Sequence, residues 1–183
     1  MPLGEVLYTI LPSPDSTLAI ELLNRRFFKQ NKHILSFENF RGELSYVADR
    51  PEASKVNLMI EAASVTCRDK SLNKKKQALL TRYAKEEGLS VAHHPEIRFA
   101  STRISPKPLR GFVVEGVLTV RGIGRVVKLN IVLNPMKYDR FQIDGDTSVR
   151  LSDFGAKPPS SLFGLIATKD EALVRLLLWA TPA

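Results

Sequence analysis

The chain has 183 residues, 44% hydrophobic and 25% charged, with 27 Lys and Arg against 19 Asp and Glu, a net charge of +8 and an isoelectric point of about 9.7. That length suits one domain, residues 1–183, and the composition is that of an ordinary globular protein with room for a sizeable core. The single cysteine, Cys67, excludes an internal disulfide, and no apolar run approaches the roughly 18 residues of a membrane-crossing helix.

The start, "MPLGEVLYTILPSPDS", lacks the basic and apolar regions of a secretory signal. A cytoplasmic setting is therefore expected for the chain as given, and a periplasmic one if a signal peptide was removed from it. Extended runs then follow in order over 6–10, 17–23, 33–46 and 55–67. In the last of these, Val56, Leu58, Ile60 and Ala62 share one face, and Asn57 and Glu61 take the other. The stretch 71–88, "SLNKKKQALLTRYAKEEG", breaks this period. It is rich in helix formers, with Ser71 placed to cap it and Gly88 to stop it in the left-handed conformation. Leu72, Leu79, Leu80 and Tyr83 would form its apolar stripe.

Strand-like runs resume at 96–105, 111–121, 125–134, 141–151 and 171–181, with turn residues such as Gly122, Gly124 and Asn134-Pro135 between them. Val127, Leu129, Ile131 and Leu133 alternate with Lys128 and Asn130. Many short strands with one dry face, and a single helix in mid-chain, predict a mainly β fold: an antiparallel sheet closed as a barrel or sandwich, with one inserted helix.

Motifs for chemistry are missing from this pattern. Gly122 and Gly124 sit in a hairpin without the Lys-Ser/Thr pair and helix of a phosphate loop. CxxC and HExxH do not occur, and His93 and His94, adjacent on extended backbone, point to opposite sides. Asp144, Asp146 and Asp153 lack the ligand spacing of a calcium loop. No catalytic residue, metal site or cofactor is expected. The basic residues are scattered apart from Lys74-Lys75-Lys76, so specific nucleic-acid binding is not expected either, although the surface suits transient contact with anionic membranes.

Several stretches nevertheless form a recognisable series. "HPEIRFASTRI" at 94–104 is followed by "VEGVLTVRGIGRVVKLNIVL" and then by "RLSDFGAKPPSS", with Arg150, Asp153, Phe154 and Gly155 in an Arg-x-x-Asp-Phe-Gly arrangement. "FRGELSY" and "VNLMIEAASV" precede them. In this order they resemble the YceI-like family of lipocalin-like polyisoprenoid-binding proteins. The resemblance implies an antiparallel lipocalin-like β-barrel of about eight strands that holds one long apolar ligand, a polyisoprenoid, an isoprenoid quinone or a similar amphiphile. It also implies a capacity to dimerise. The sequence departs from the family's pattern at Asp15-Ser16, Arg121-Gly122, Val126 and in the stretch before Pro95.

An eight-stranded barrel is just wide enough either to be filled by its own side chains or to hold one slender ligand. Ligand-lining candidates are taken from the dry faces: Leu18 and Ile20; Val56, Leu58 and Ile60; Ile97 and Phe99; Leu118 and Val120; Leu129 and Ile131; Leu176 and Leu178. Phe154, Leu162 and Phe163 are candidates for the mouth, and Arg121, Arg125 or Arg150 for an anionic head group. Each of the apolar ones is by default a core residue. The function expected is binding and carriage or sequestration of a lipid-like ligand without catalysis. The alternatives are an enzyme acting on a hydrophobic substrate, with Asp153, His93 or His94 recruited near the mouth, and a basic nucleic-acid-associated protein.

Overall fold

The computed structural model describes residues 4–24, 32–160 and 167–183; Leu162 and Phe163 lie outside them. Among the described residues the order is β1 (Glu5–Ile10), β2 (Thr17–Asn24), β3 (Lys32–Phe37), β4 (Phe40–Val47), β5 (Lys55–Glu61), β6 (Val65–Cys67), α1 (Lys74–Tyr83), β7 (Glu96–Pro106), β8 (Phe112–Val120), β9 (Ile123–Pro135), β10 (Phe141–Arg150) and β11 (Thr168–Pro182).

All pairings are antiparallel, and the sheet closes on itself where β1 meets the end of β11, Tyr8 against Pro182 and Ile10 against Ala180. Three pairs of short strands act as single staves. β2 continues β1 along β11, β3 and β4 face β2 and β1 in turn, and β6 and β5 do the same on the next edge. The result is a closed antiparallel barrel of eight staves, as the family resemblance implies.

The breaks in these staves have local causes. Between β1 and β2 stand Pro12 and Pro14, which cannot donate to a ladder, and a turn in which Ser16 N reaches Ser13 O at 3.0 Å. The runs 33–46 and 55–67, which read as continuous strands, each divide. Residues Ala62–Ser64 form a 3-10 turn, in which Ala62 N donates to Pro95 O at 2.9 Å and Glu61 N to Asn39 O at 3.0 Å. β5 can therefore stay with β7 while β6 moves over to β3.

The β8–β9 hairpin turns on two residues, Arg121 (φ 54°) and Gly122 (φ 72°), between the paired Val120 and Ile123. Left-handed backbone at both positions gives a turn whose twist matches that of the strands. A bulge interrupts β7 between Ser101 and Arg103. It explains why Ile97, Phe99 and Ile104 are all buried although 99 and 104 differ in parity. β8 keeps its alternation, so Leu118 and Val120 keep the inward face expected for them.

The helix departs from its expected ends. Asn73, not Ser71, is the cap: its side chain accepts from Lys76 N at 2.9 Å. The Ser71 hydroxyl is occupied with Asp69 Oδ1 at 2.6 Å. Regular helix stops at Tyr83 and a π turn, Ala84–Gly88, completes it, giving fifteen helical residues in succession. The left-handed residue that follows is Ser90 (φ 50°), not Gly88. Leu80 and Tyr83 are buried, and Leu72 and Leu79 pack beside them against the barrel.

The staves define two ends. At the hairpin end lie the links β4–β5, β7–β8 and β9–β10 together with the start of β1 and the end of β11. At the helix end lie α1, the β8–β9 turn, the end of β10 and the start of β11.

Candidate functional site

Inward side chains of the staves enclose two cavities. The first, about 130 Å³, lies toward the hairpin end, where Tyr46, Pro51 and Phe112 contribute to its wall. The second, about 110 Å³, lies toward the helix end, against Tyr83, Ala84, Leu89 and Phe154. Leu18, Ile60, Leu118 and Val174 line both. Leu18 and Leu118 stand four staves apart, on opposite walls, so these four side chains form a waist between two chambers of one lumen.

All fourteen described lining candidates border these chambers. Val56, Leu58, Phe99, Leu129, Ile131, Leu176 and Leu178 face the first; Ile20, Ile97, Val120 and Phe154 face the second; Leu18, Ile60 and Leu118 face both. Phe154, a candidate for the mouth, is buried at 4% exposure and borders the second chamber. Its segment, Leu151–Phe154, is a 3-10 turn ended by Gly155 at φ 70°.

Several lining residues were not picked out from the sequence. Phe112 and Val114 continue the Leu118 face of β8, and Val174 continues that of Leu176, so plain alternation finds them. Ile104 is reached only through the bulge. The sequence does not mark Tyr46 and Tyr83 as lining residues, because a tyrosine at a strand or helix position carries no sign of which end of it is wet.

The walls offer few polar groups, and those present are largely engaged. In the first chamber Ser54 Oγ accepts from Val47 N at 2.9 Å, and Thr147 Oγ1 donates to Lys128 O at 2.8 Å. In the second, Tyr83 Oη donates to the Lys157 carbonyl. Burial, reinforced by the nearby Glu87, pushes the Tyr83 phenol up to about 12, so it stays neutral and a donor. Among the described residues, Tyr46 is the only titratable one lining the first chamber and Tyr83 the only one lining the second. At the hairpin end Tyr8 and Tyr46 each meet Phe141 at a tilt, with ring centroids 5.2 Å apart in both contacts. Such tilted contacts favour a rigid apolar wall.

The other candidates lie elsewhere. Asp153 and His93 are exposed, His93 Nδ1 lies 3.3 Å from Ser90 Oγ, and the His94 ring packs by Gly122. None of the three lines a chamber. Arg121 donates to the carbonyls of Glu87 and Gly88 at 2.9 and 3.1 Å, tying the β8–β9 turn to the last helical turn. Arg150 faces Asp170 at 3.4 Å. Neither arginine points a free fork at the lumen.

One buried polar pair escaped the sequence reading. His33 Nδ1 lies 2.9 Å from Asp69 Oδ2, both side chains being under one-tenth exposed, and Ser71 N and Oγ hold the other carboxylate oxygen. His33 shares its strand face with Leu35 and Phe37, which border the second chamber. The pair anchors the segment that leads into α1. Distance in sequence, 36 residues, concealed it.

The YceI-like domain family matches residues 15–177. The chain is 29% identical over 133 residues to a UPF0312 protein of Pseudomonas savastanoi pv. phaseolicola, covering 68% of this chain and 64% of that protein. It is likewise 29% identical over 125 residues to a UPF0312 protein of Azotobacter vinelandii, covering 66% and 62%. The chain thus spans somewhat less than two-thirds of the length of these relatives. Its fold is similar to that of Burkholderia cenocepacia BcnA, with a TM-score of 0.71, 17% identity and coverage of 91% and 96%. It is also similar to a polyisoprenoid binding domain from Saccharophagus degradans implicated in plant cell wall breakdown, with a TM-score of 0.68, 11% identity and coverage of 96% and 98%.

Proposed function

Because the chain belongs to the YceI-like family, we propose that it carries or sequesters one long apolar ligand, a polyisoprenoid, isoprenoid quinone or similar amphiphile, without chemistry of its own. The observation that carries this reading is the pair of apolar chambers joined at a waist inside a closed barrel. The likeness of fold to the Saccharophagus degradans polyisoprenoid binding domain supports it.

Burial of an isoprenoid tail gains roughly 25 cal/mol per Å² of apolar surface, so a long tail is held without specific hydrogen bonds. A catalytic site would need two converging polar groups. Among the described residues each chamber has one titratable group, a tyrosine, and Asp153, His93 and His94 line neither.

Native mass spectrometry of protein purified from cells, followed by solvent extraction, tests this reading. A bound amphiphile, or saturable binding of added prenyl alcohols, is the expected result. Empty protein that also fails to take up any prenyl compound would overturn it.

A further inference from the structure

The hairpin end carries a second pattern that the barrel does not need for its own stability. Of the eight large hydrophobic side chains that stand exposed among the described residues, five lie there: Val6, Leu7, Leu109, Met136 and Tyr138. Leu109, at the tip of the β7–β8 link, is 100% exposed, and Tyr138, at the tip of the β9–β10 link, is 84% exposed. Tyr138 and Asp139 hold φ values of 63° and 53°, with Met136 N bonded to Arg140 O at 2.8 Å, so the second tip is a formed turn.

Cations surround these apolar tips. The two links carry Lys107, Arg110, Lys137 and Arg140 against one carboxylate, Asp139, and among the described residues none of the four forms an ion pair. Lys107 Nζ and Arg110 Nη2 instead reach the amide oxygens of Asn130 and Asn134. Arg140 lies over the ring of Trp179, 5.2 Å from its centroid, on the outer face of β11. The neighbouring β4–β5 link adds Arg50 with Asp49 and Glu52, so the positive charge belongs to the two hairpin tips.

A fully exposed leucine and a nearly exposed tyrosine, ringed by unpaired cations, match the boundary between lipid head groups and acyl chains. There apolar side chains leave water, aromatic rings settle, and Lys and Arg meet phosphate. We infer that the hairpin end docks on an anionic bilayer, with Leu109 and Tyr138 inserting and Lys107, Arg110 and Lys137 engaging lipid phosphates. This orientation sets the first chamber directly above the membrane. The inference builds on the carrier reading for its purpose, while the docking itself stands on the tips alone. It also assigns the contact to the end opposite the Lys74-Lys75-Lys76 cluster of α1.

The test is co-sedimentation with vesicles of equal parts phosphatidylcholine and phosphatidylglycerol, and with phosphatidylcholine alone. Binding of the parent to the anionic vesicles, weakened by salt, is expected. Leu109→Ser with Tyr138→Ser should weaken it at least about tenfold, and Lys107→Glu with Lys137→Glu by a similar factor. Both pairs are exposed, so melting temperature and prenyl-alcohol affinity in solution should be unchanged; those two readings separate failure of docking from failure of the carrier function. A variant with Lys74, Lys75 and Lys76 changed to Glu should bind as the parent does. Absence of vesicle binding by the parent, or loss of binding in the helix variant but not in the tip variants, would overturn the inference. So would a tip variant that abolishes a dimer on size exclusion while vesicle binding persists.

Discussion

Replacing Leu118 with tryptophan probes the waist. Leu118 faces Leu18 across the barrel and borders both chambers, so a larger ring there fills the passage and leaves a tail entering from the hairpin end with the first chamber only. Each five-carbon isoprene unit kept out of the second chamber forfeits about 1.5 kcal/mol at roughly 0.3 kcal/mol per atom, or about 4 kcal/mol at roughly 0.8 kcal/mol per buried methylene. At about 1.4 kcal/mol per decade this is a loss of about tenfold to a thousandfold in affinity for a tail long enough to reach it. The assay is titration with prenyl alcohols of increasing length. Parent affinity should climb with each added unit after the first chamber is full, whereas variant affinity should level off there. Leu18→Phe, from the opposite wall, should give the same plateau and guards against a fold defect in the first variant. Coincident length curves for parent and folded variants would refute the two-chamber argument.

Three further outcomes follow from the framework. At Gly116 an added Cβ would lie 2.5 Å from the Ala100 carbonyl oxygen and 2.5 Å from the Phe99 ring, so Gly116→Ala should cost about 1–3 kcal/mol and lower the melting temperature by roughly 2–12 °C. Gly124→Ala, whose nearest neighbour is a Val117 methyl at 3.2 Å, should cost far less; equal losses would show that backbone crowding is not the cause. Burial raises the Asp69 carboxyl, but the Ser71 hydroxyl, His33 and the Ser71 N–H together lower it further, leaving it below the usual 3.8. The stability it contributes is complete above that value and disappears as pH falls through the lower folded-state value. Asp69→Asn should therefore flatten the acid limb of unfolding below about pH 4, with Asp170, lowered by Ser152 and Arg150, keeping part of the slope. An acid limb unchanged in Asp69→Asn would contradict this. The difference between the ultraviolet pH titrations of the parent and Tyr83→Phe should isolate a phenol titrating near 12, and a component near 10 would mean that Tyr83 is not held in the buried wall.

What the sequence by itself determined is whatever repeats at a spacing of two residues. Val127, Leu129, Ile131 and Leu133 declare a dry face because successive side chains of a strand point to opposite sides of it, and the same logic places Ile97, Leu118 and Leu176. The mid-chain helix and its apolar stripe are legible for the equivalent reason at 3.6 residues per turn. With the ordered motifs from Phe40 to Gly155, this was enough for the barrel and for the faces that line it.

The tertiary structure alone decided how those faces are used. Whether apolar faces fill a barrel or leave chambers depends on the stagger and closure of staves 172 residues apart, as where Thr9 meets Thr181, and no local pattern records that. Ile104 needed the bulge at Thr102, a one-residue irregularity that period-two reading takes for a change of face. Asn73 displaced Ser71 as helix cap because Asp69, held against His33 from a distant strand, claimed the serine first. Phe154 is buried against the second chamber, where Gly155 turns the chain. At the helix cap a long-range contact outweighed a local preference worth about 1 kcal/mol, and closure of the barrel lies beyond any local pattern, which is why sequence could name the walls but not the rooms they enclose.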